Sequence, residues 1–565
     1  RARTLAAGLA VAAAGALGLA AGLRMGERSP PLFQQLTFGR GHVTSARFAP
    51  DGATIVYSAG WDGAPFILYR KDPQGAGSLP LQLPAGWLQA VSPRGTALVV
   101  TGARGAPLQV VLPGRPVGTL AEGPLDGGAA RELLEEVQFA DWDPGGSSMV
   151  VVHEQAARTV LQLPPGHTLF ATSGWISYPR VSRAGDLVAF LEHPVRGVER
   201  GRVIVIDRQG TEKLRTPMWA VTKGLAWSPR GNEVWFGASP GEALRSIYAV
   251  GLDGRTRLLL RGPGPLALHD VAASGDALVA RETRHIGIAA LLPGGAVRDL
   301  SWMDAAMIGD LSDDGSTLLF TEFGEAGGLY YSTYSRSISG SPAMRLGDGF
   351  ASALSPDGAM ALALIPKLPP ELVLLPTRAG PQRRVQPSGL ATYHSAGFMP
   401  GGQRILIAGH EPDKGVRLYV QDLGGGRPRA ISPEHLLFTD HYNGFPVSPD
   451  GRWVAAADWQ GEIDLHATDG TLTRVVHGLG PGTLPIRWTR DGRGLYAFRP
   501  HEVPARIMRL DVAEAAPPRE WLRIAPADPA GVHIFPALRL SADGRTCVYS
   551  YVRLLTELYL VKGLR

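Results

Sequence analysis

Short apolar runs, separated by a recurring polar turn, make up most of this chain. The turn is clearest as Ala49-Pro50-Asp51-Gly52, Ser355-Pro356-Asp357-Gly358 and Ser448-Pro449-Asp450-Gly451. Looser copies bring the total to twelve, at a spacing of about 44 residues. Serine or aspartate bonds back to the backbone, proline fixes φ, and glycine accepts φ > 0, so each copy predicts a tight turn.

The apolar runs on both sides of these turns predict strands. They are rich in β-branched and aromatic residues, too short for helices, and bounded by glycine and proline. Examples are Ile55-Val56-Tyr57, Leu187-Val188-Ala189-Phe190 and Leu558-Tyr559-Leu560-Val561. The segment Arg131–Val137 has helical propensity, but its place in the repeat predicts a fourth strand.

Four short strands at this period are typical of propeller blades, and single rings usually hold four to eight of them. The sequence therefore predicts an all-β protein of twelve blades, as two tandem six-bladed β-propellers over residues 33–302 and 303–565. The last repeat has no room for a fourth strand, whereas Phe33–Phe38 is an extra strand. If that strand completes the last blade, the first and last blades touch and the two domains become discontinuous in sequence.

Residues 5–23 are uncharged and have the length of one membrane span. Residues 1–24 are thus predicted to form a transmembrane helix with basic flanks, and residues 25–32 a linker; a cleaved signal peptide is the alternative interpretation. Small residues at a spacing of four predict a helix-packing face and a homodimer: Ala10, Ala14, Gly18 and Gly22. The chain begins with Arg1, which predicts a further segment upstream.

Composition narrows the classes of function. The net charge of +5 is small for 565 residues, and no basic cluster with interleaved aromatic residues is present, which argues against nucleic-acid binding. The single Cys547 excludes an internal disulfide. Phosphate-loop, zinc-peptidase, C-x-x-C and kinase signatures are absent, so no catalytic residue, metal or cofactor is predicted. Gly237–Gly241 matches G-x-S-x-G, but Pro240 lacks the N–H that an oxyanion hole needs.

Polar residues near the start of several first strands are the candidate ligand-binding set. The innermost strands of a propeller surround its channel, so these residues are expected at a channel mouth that binds a small molecule or a peptide end. Taken singly, each is better explained as a packing residue than as a ligand-binding one. The candidates are His42, Trp175, Tyr178, His269, Asp270, His394, Asp440, His441 and His533.

The stretch from Gln35-Leu36-Thr37-Phe38 to Asp51-Gly52 resembles TolB-type propeller repeats. More specifically, it is similar to the C-terminal extracytoplasmic region of bacterial membrane serine/threonine protein kinases. Tyr57–Gly63, Gly174–Val181 and the tail Glu557–Leu564 carry the same resemblance, which extends over everything after the predicted span. It implies an inner-membrane protein with the propellers outside, and ATP and Mg²⁺ only through a kinase domain that this chain lacks.

The predicted function is a non-catalytic sensor region that binds an envelope protein or a small-molecule ligand at a propeller face. Two alternatives stay open. One is a free-standing, membrane-anchored periplasmic TolB-like scaffold, and the other is a propeller hydrolase that uses His and Asp at the channel mouth. A related regulator with a DNA-binding domain in place of the kinase is a variant of the first hypothesis.

Overall fold

A computed structural model describes residues 30–564 apart from short gaps. The gaps are residues 76, 106–115, 156–157, 195–199, 242–243, 304, 324–326, 329, 368–369, 387–388, 413, 435, 437–443, 458–461, 481 and 513–516. The predicted span and its packing residues Ala10, Ala14, Gly18 and Gly22 lie outside the described residues. Within the described part of the chain, no helix has the length and apolar character needed to cross a membrane.

The described residues form strands and no α-helix, which confirms the all-β prediction. The first half of the chain contains β1 (Leu32–Gln35), β2 (Gly41–Phe48), β3 (Ile55–Trp61), β4 (Ile67–Lys71), β5 (Ser78–Pro80), β6 (Gly86–Val91), β7 (Thr96–Gly105), β8 (Pro116–Pro124), β9 (Arg131–Trp142), β10 (Met149–Gln155), β11 (Arg158–Gln162), β12 (Thr168–Thr172), β13 (Trp175–Val181), β14 (Leu187–His193), β15 (Arg202–Asp207), β16 (Glu212–Arg215), β17 (Val221–Trp227), β18 (Glu233–Ser239), β19 (Ser246–Gly251), β20 (Thr256–Leu260), β21 (Leu266–Val271), β22 (Ala277–Leu291) and β23 (Val297–Asp299).

The second half continues the same pattern of short strands. It contains β24 (Ala306–Leu311), β25 (Thr317–Glu322), β26 (Ser332–Ser337), β27 (Met344–Asp348), β28 (Phe350–Leu354), β29 (Met360–Ile365), β30 (Glu371–Pro376), β31 (Arg383–Arg384), β32 (Thr392–Phe398), β33 (Arg404–His410), β34 (Arg417–Asp422), β35 (Arg429–Ala430), β36 (Trp453–Ala457), β37 (Ile463–Ala467), β38 (Thr473–Val476), β39 (Leu484–Trp488), β40 (Gly494–Phe498), β41 (Ala505–Asp511), β42 (Arg519–Ile524), β43 (Val532–Leu540) and β44 (Cys547–Lys562).

The recurring phrase forms the predicted turns. The Gly52, Gly358 and Gly451 amides donate to the carbonyl three residues earlier at 2.9, 2.8 and 2.8 Å. Their φ angles are +69°, +68° and +72°, a region that favours glycine. The Gly52 and Gly358 turns join the first strand of a sheet to the second, and the Gly451 turn leads into β36, so the repeat in the sequence is the repeat of the sheets.

Most sheets are four strands in sequence order, such as β2-β3-β4-β5 and β13-β14-β15-β16, and the ladders are antiparallel. The seven-stranded sheet β6 to β12 is two such units that share β9. Arg131–Trp142 is thus a strand, as predicted, and it is long enough to end one unit and begin the next. Glu136, with φ +58°, marks the change between the two.

Two long strands join the halves of the chain. β22 has 15 residues, and all of them pair antiparallel with β44, from Ala277 opposite Val561 to Leu291 opposite Cys547. At one end β21 and β1 flank this ribbon, and at the other end β43 and β23 flank it. The ribbon therefore supplies the middle strands of two different four-stranded units.

The first strands of the units contact each other in a closed cycle in the first half, and in the second half the units form a cycle in which one link runs through other strands. In the first cycle, β2, β6, β9, β13, β17 and β21 contact in turn, and β21 returns to β2. In the second, β24 contacts β28 and β43, β28 contacts β32, and β39 contacts β36 and β43. Buried Leu406 and Leu418 pack with Val454, which links the sheets of β33 and β36. Antiparallel sheets arranged around a centre through their first strands are the arrangement of a β-propeller.

The terminal strand closes the first cycle. β1 spans Leu32–Gln35 rather than Phe33–Phe38 and pairs with the last residues of β44, the final strand of the chain. The blade that it completes is the one that begins with β21, whereas the blade of the final repeat begins with β43 and ends with β23, so the predicted pairing is found but in a different blade. That sheet also holds β21 and the start of β22, from the middle of the chain. The boundaries 33–302 and 303–565 stay predictions, whereas the strand pairing places the passage between cycles inside β22 and β44.

We expect Leu36→Ala to weaken this closure. Leu36 is 2 % exposed and packs with Leu278, Leu558 and Leu560, so truncation leaves a cavity that costs about 2–4 kcal/mol. Leu32, which is 72 % exposed, is the matched control, and Leu32→Ala is expected to change stability by less than about 0.5 kcal/mol. Calorimetric melting of both variants checks this. Equal melting temperatures would show that the closure does not depend on Leu36.

Candidate functional site

The mouth of each cycle is the end at which its first strands begin. Several first strands carry a β-bulge there, which leaves a residue out of the ladder and redirects its side chain. Four predicted ligand residues lie at these bulges: Tyr178, His269, His394 and His533. Their common feature is therefore a backbone irregularity near the mouth.

The first strand of a sheet has one edge without a neighbouring strand, and side chains from other blades bind it. Phe48 N donates to the Asp270 carboxylate at 3.0 Å. Arg47 and Arg180, from β2 and β13, both donate to His269 O, at 2.9 and 2.8 Å. Asp270 thus joins β21 to β2 at the point where the first cycle closes, and its role as a ligand residue stays a prediction.

These arginines and aspartates belong to a pattern that the sequence also contains. Five residues before each turn glycine of the first cycle, arginine, alanine and aspartate recur twice in the same order. The positions are Arg47, Ala90, Asp141, Arg180, Ala226 and Asp270. Burial raises the pKa of Asp141 despite the opposing effect of Arg180, and burial followed by Arg180 lowers the pKa of Arg47 to about 9.

A second buried cluster lies nearer the mouth of the first cycle. Lys223 Nζ, on β17, is 2.7 Å from Glu282 Oε1, and Arg245 binds the other carboxylate oxygen. His42 and His269, each 6 % exposed, lie within electrostatic range of both Lys223 and Glu282. We call these five residues the mouth cluster. It contains two of the predicted ligand residues, and its three charged members were missed from the sequence.

Close packing of β17 and β21 brings the mouth cluster together. Gly224, at the bulge of β17, has φ +79°, and a Cβ there would overlap the Leu268 carbonyl. Only glycine therefore lets β17 approach the bulge of β21 this closely. Lys223 directly precedes Gly224 and His269 directly follows Leu268. The close approach of the two strands therefore places both side chains in the mouth cluster.

Burial sets the charge state of the cluster. Burial, followed by the charge of Lys223, lowers the pKa of His42 to about 3. Burial, followed by the charge of Arg47, likewise lowers the pKa of His269 to about 3. Burial alone would raise the pKa of Glu282, but Lys223 and Arg245 outweigh it and hold that pKa well below its usual range. At neutral pH, both imidazoles are neutral and Glu282 is ionised.

The remaining predicted residues are distributed over both cycles. Trp175 stacks on His193 with ring centroids 3.3 Å apart, and Tyr178 packs against Phe139 at 5.4 Å. His394 is in the second cycle, 5.6 Å from His410 between ring centroids. Asp440 and His441 lie outside the described residues. His533 belongs to β43 of the second cycle, yet its ring centroid is 6.3 Å from that of His42 in the first.

The serine of the G-x-S-x-G match and the single cysteine are both buried. Ser239 is the last residue of β18 and is 1 % exposed. The next described element is the strand β19, so the strand-to-helix turn of a nucleophile elbow is not formed. Cys547 is fully buried at the start of β44, and burial raises the pKa of its thiol.

Among the comparisons with known proteins, only the one with solved structures finds similar proteins. No protein-family model and no curated protein matches the sequence. A putative TolB from Agrobacterium tumefaciens is 19% identical over 48% of this chain and 99% of its own, with a TM-score of 0.37. TolB from Acinetobacter baumannii is 14% identical over 61% of this chain and 80% of its own, with a TM-score of 0.29. The tricorn protease is 12% identical over 91% of this chain and 57% of its own, with a TM-score of 0.33.

The class of the protein rests on its own strand order. Antiparallel sheets joined by the recurring turn and arranged in closed cycles make the described chain a β-propeller protein.

Asp270→Ala is expected to destabilise the first cycle. It removes the acceptor of the Phe48 N–H and leaves that amide part-buried without this bond, which costs about 1–3 kcal/mol. Asp126→Ala is the control, because the Asp126 side chain is 95% exposed. Thermal unfolding of both variants measures the difference. If Asp270→Ala has the same melting temperature as the wild type, the hydrogen bond from Phe48 N to Asp270 does not contribute to closure of the first cycle.

Stability is expected to fall as the pH drops from about 6.5 toward 3. In this interval the unfolded chain protonates His42 and His269, whose ordinary pKa is near 6.5, while the folded chain keeps them neutral. Each histidine contributes at most about 1.4 kcal/mol per pH unit. His269→Leu should therefore flatten the dependence of melting temperature on pH between 7 and 4.5. His477→Leu, at an exposed site, is the control, and the same slope in both variants would contradict the prediction.

Proposed function

We propose that this chain is the non-catalytic, extracytoplasmic sensor region of a single-pass bacterial membrane serine/threonine protein kinase. In this proposal the closed cycles are two six-bladed propellers that bind an envelope protein or a small-molecule ligand. Their domains are discontinuous, because β22 and β44 each pass from one propeller to the other.

One observation carries the sensor role. β1, which directly follows the segment holding the predicted span 5–23, pairs with β44, and β44 runs through both cycles. A ligand that changes how the two cycles pack therefore acts on the strand next to the span. A dimer formed through Ala10, Ala14, Gly18 and Gly22 would pass this change across the membrane.

The proposal predicts both the mass and the orientation of the native protein. An antibody against the propellers should detect a membrane protein clearly larger than the 60.0 kDa of this chain, because a kinase domain precedes it. Alkaline phosphatase fused after Arg565 should be active, because that enzyme folds outside the cytoplasm. The same fusion without residues 1–24 is the control and should be inactive.

Either measurement can contradict the proposal. A native mass equal to 60.0 kDa would favour the free-standing anchored scaffold. An inactive fusion would place the propellers in the cytoplasm. It would exclude both the kinase sensor region and the anchored periplasmic scaffold. A larger mass leads to a phosphorylation assay on the full protein with its ligand.

A further inference from the structure

The mouths of the two cycles lie at the same place. β22 runs from the turn at Gly275 to the mouth of the first cycle and continues into the second, and β44 returns antiparallel beside it. The middle of this ribbon, near Glu282 and Arg284, is thus common to both mouths. The 6.3 Å between the His42 and His533 ring centroids shows that side chains from the two mouths reach each other.

Basic side chains cluster around two carboxylates at this junction. In the first cycle, the carboxylate of Glu282 is shared by Lys223 and Arg245. Beside the second mouth, the carboxylate of Asp528 is shared by Arg40, at 2.6 Å, and Arg553, at 3.4 Å. Arg284 also acts electrostatically on His533. Among these described contacts, two basic side chains therefore surround each carboxylate.

One imidazole nitrogen at the junction, His269 Nε2, is buried without a hydrogen-bond partner among the described residues. His269 is 6 % exposed and belongs to the mouth cluster. A buried polar atom that makes no hydrogen bond is costly unless a ligand or water satisfies it. A neutral imidazole can offer an N–H there, and an N–H among cations suits an oxyanion.

We propose that the junction of the two mouths binds an oxyanion, the carboxylate or phosphate group of a small ligand, through Lys223 and His269. Lys223 supplies charge and His269 donates a hydrogen bond from Nε2. Arg245 holds Glu282 beside them and so fixes the position of Lys223. A cationic ligand does not suit this site, because the nearby carboxylates are already paired.

This inference rests on the proposed ligand-binding function and names the chemical class of the ligand. It also explains how a small ligand could act on both cycles, because its contacts come from β17 and β21 while His533 of β43 lies beside them. Binding there would change the packing at the centre of the ribbon. That ribbon ends at β1, next to the predicted span.

The test is titration calorimetry of the full chain in detergent with two probes, inorganic phosphate and succinate, at ionic strength matched with sodium chloride. At least one probe should bind saturably and raise the melting temperature. A response to phosphate alone assigns a phosphate-bearing ligand, and a response to succinate alone assigns a carboxylate. No saturable binding of either probe, or an equal effect of chloride, would overturn the inference.

Variants locate the site. Lys223→Met and His269→Leu should each weaken binding at least about tenfold, because each removes one group that contacts the anion. His269 Nε2 has no protein partner, so His269→Leu breaks no hydrogen bond of that atom and should fold. Lys213→Met is the matched control, since Lys213 is 44% exposed and pairs with Asp207 on the outer part of its sheet. Equal affinities in Lys223→Met and Lys213→Met would refute the assignment, whereas the mass and fusion experiments test the sensor role separately.

Discussion

The pairing of β22 with β44 is the constraint on which the rest of the structure depends. All 15 residues of β22 are paired, and the two ends of the ribbon are buried in different cores. Leu278 and Leu558 pack with the first blade, whereas Ile288 and Val548 pack in the core of the second cycle. Because the same two strands fill the middle of a sheet in each cycle, neither cycle can lose its closing sheet without disturbing the other.

This arrangement also accounts for the position of β1. Without a further strand, the ribbon would have an unpaired edge in each cycle: the edge of β44 in the first and the edge of β22 in the second. An unpaired edge can pair with strands of other chains. β1 covers β44 at one end and β23 covers β22 at the other. The N-terminal strand is therefore a structural part of the closure, at the edge of the sheet that both cycles share.

The sequence contains enough information to predict the blades but not how the two cycles are joined. The turns fix where first and second strands lie, and the place of Arg131–Val137 in the repeat predicts its strand against local propensity. The same reasoning does not predict β22 as one continuous strand. Its apolar pattern is interrupted by Arg281-Glu282-Thr283-Arg284-His285, which is typical of a loop. Those polar residues can lie in mid-strand because Lys223 and Arg245 neutralise Glu282 at the passage between the cycles. This neutralisation depends on contacts between different sheets, so it cannot be predicted from the local sequence of β22.

The candidate site shows the same division between local and long-range information. His42, His269 and His533 are visible in the sequence because they lie near the starts of predicted first strands. The Arg-Ala-Asp pattern before the turn glycines is also readable, and its role is to bind unpaired backbone groups at the inner edges. Lys223 and Glu282 do not share that role. A buried ion pair is seldom worth more to stability than apolar residues of similar size, so stability alone gives little reason for it at the mouth. The pair acts electrostatically on His269, whose Nε2 has no hydrogen-bond partner among the described residues, and this is the ground on which we propose ligand recognition for it.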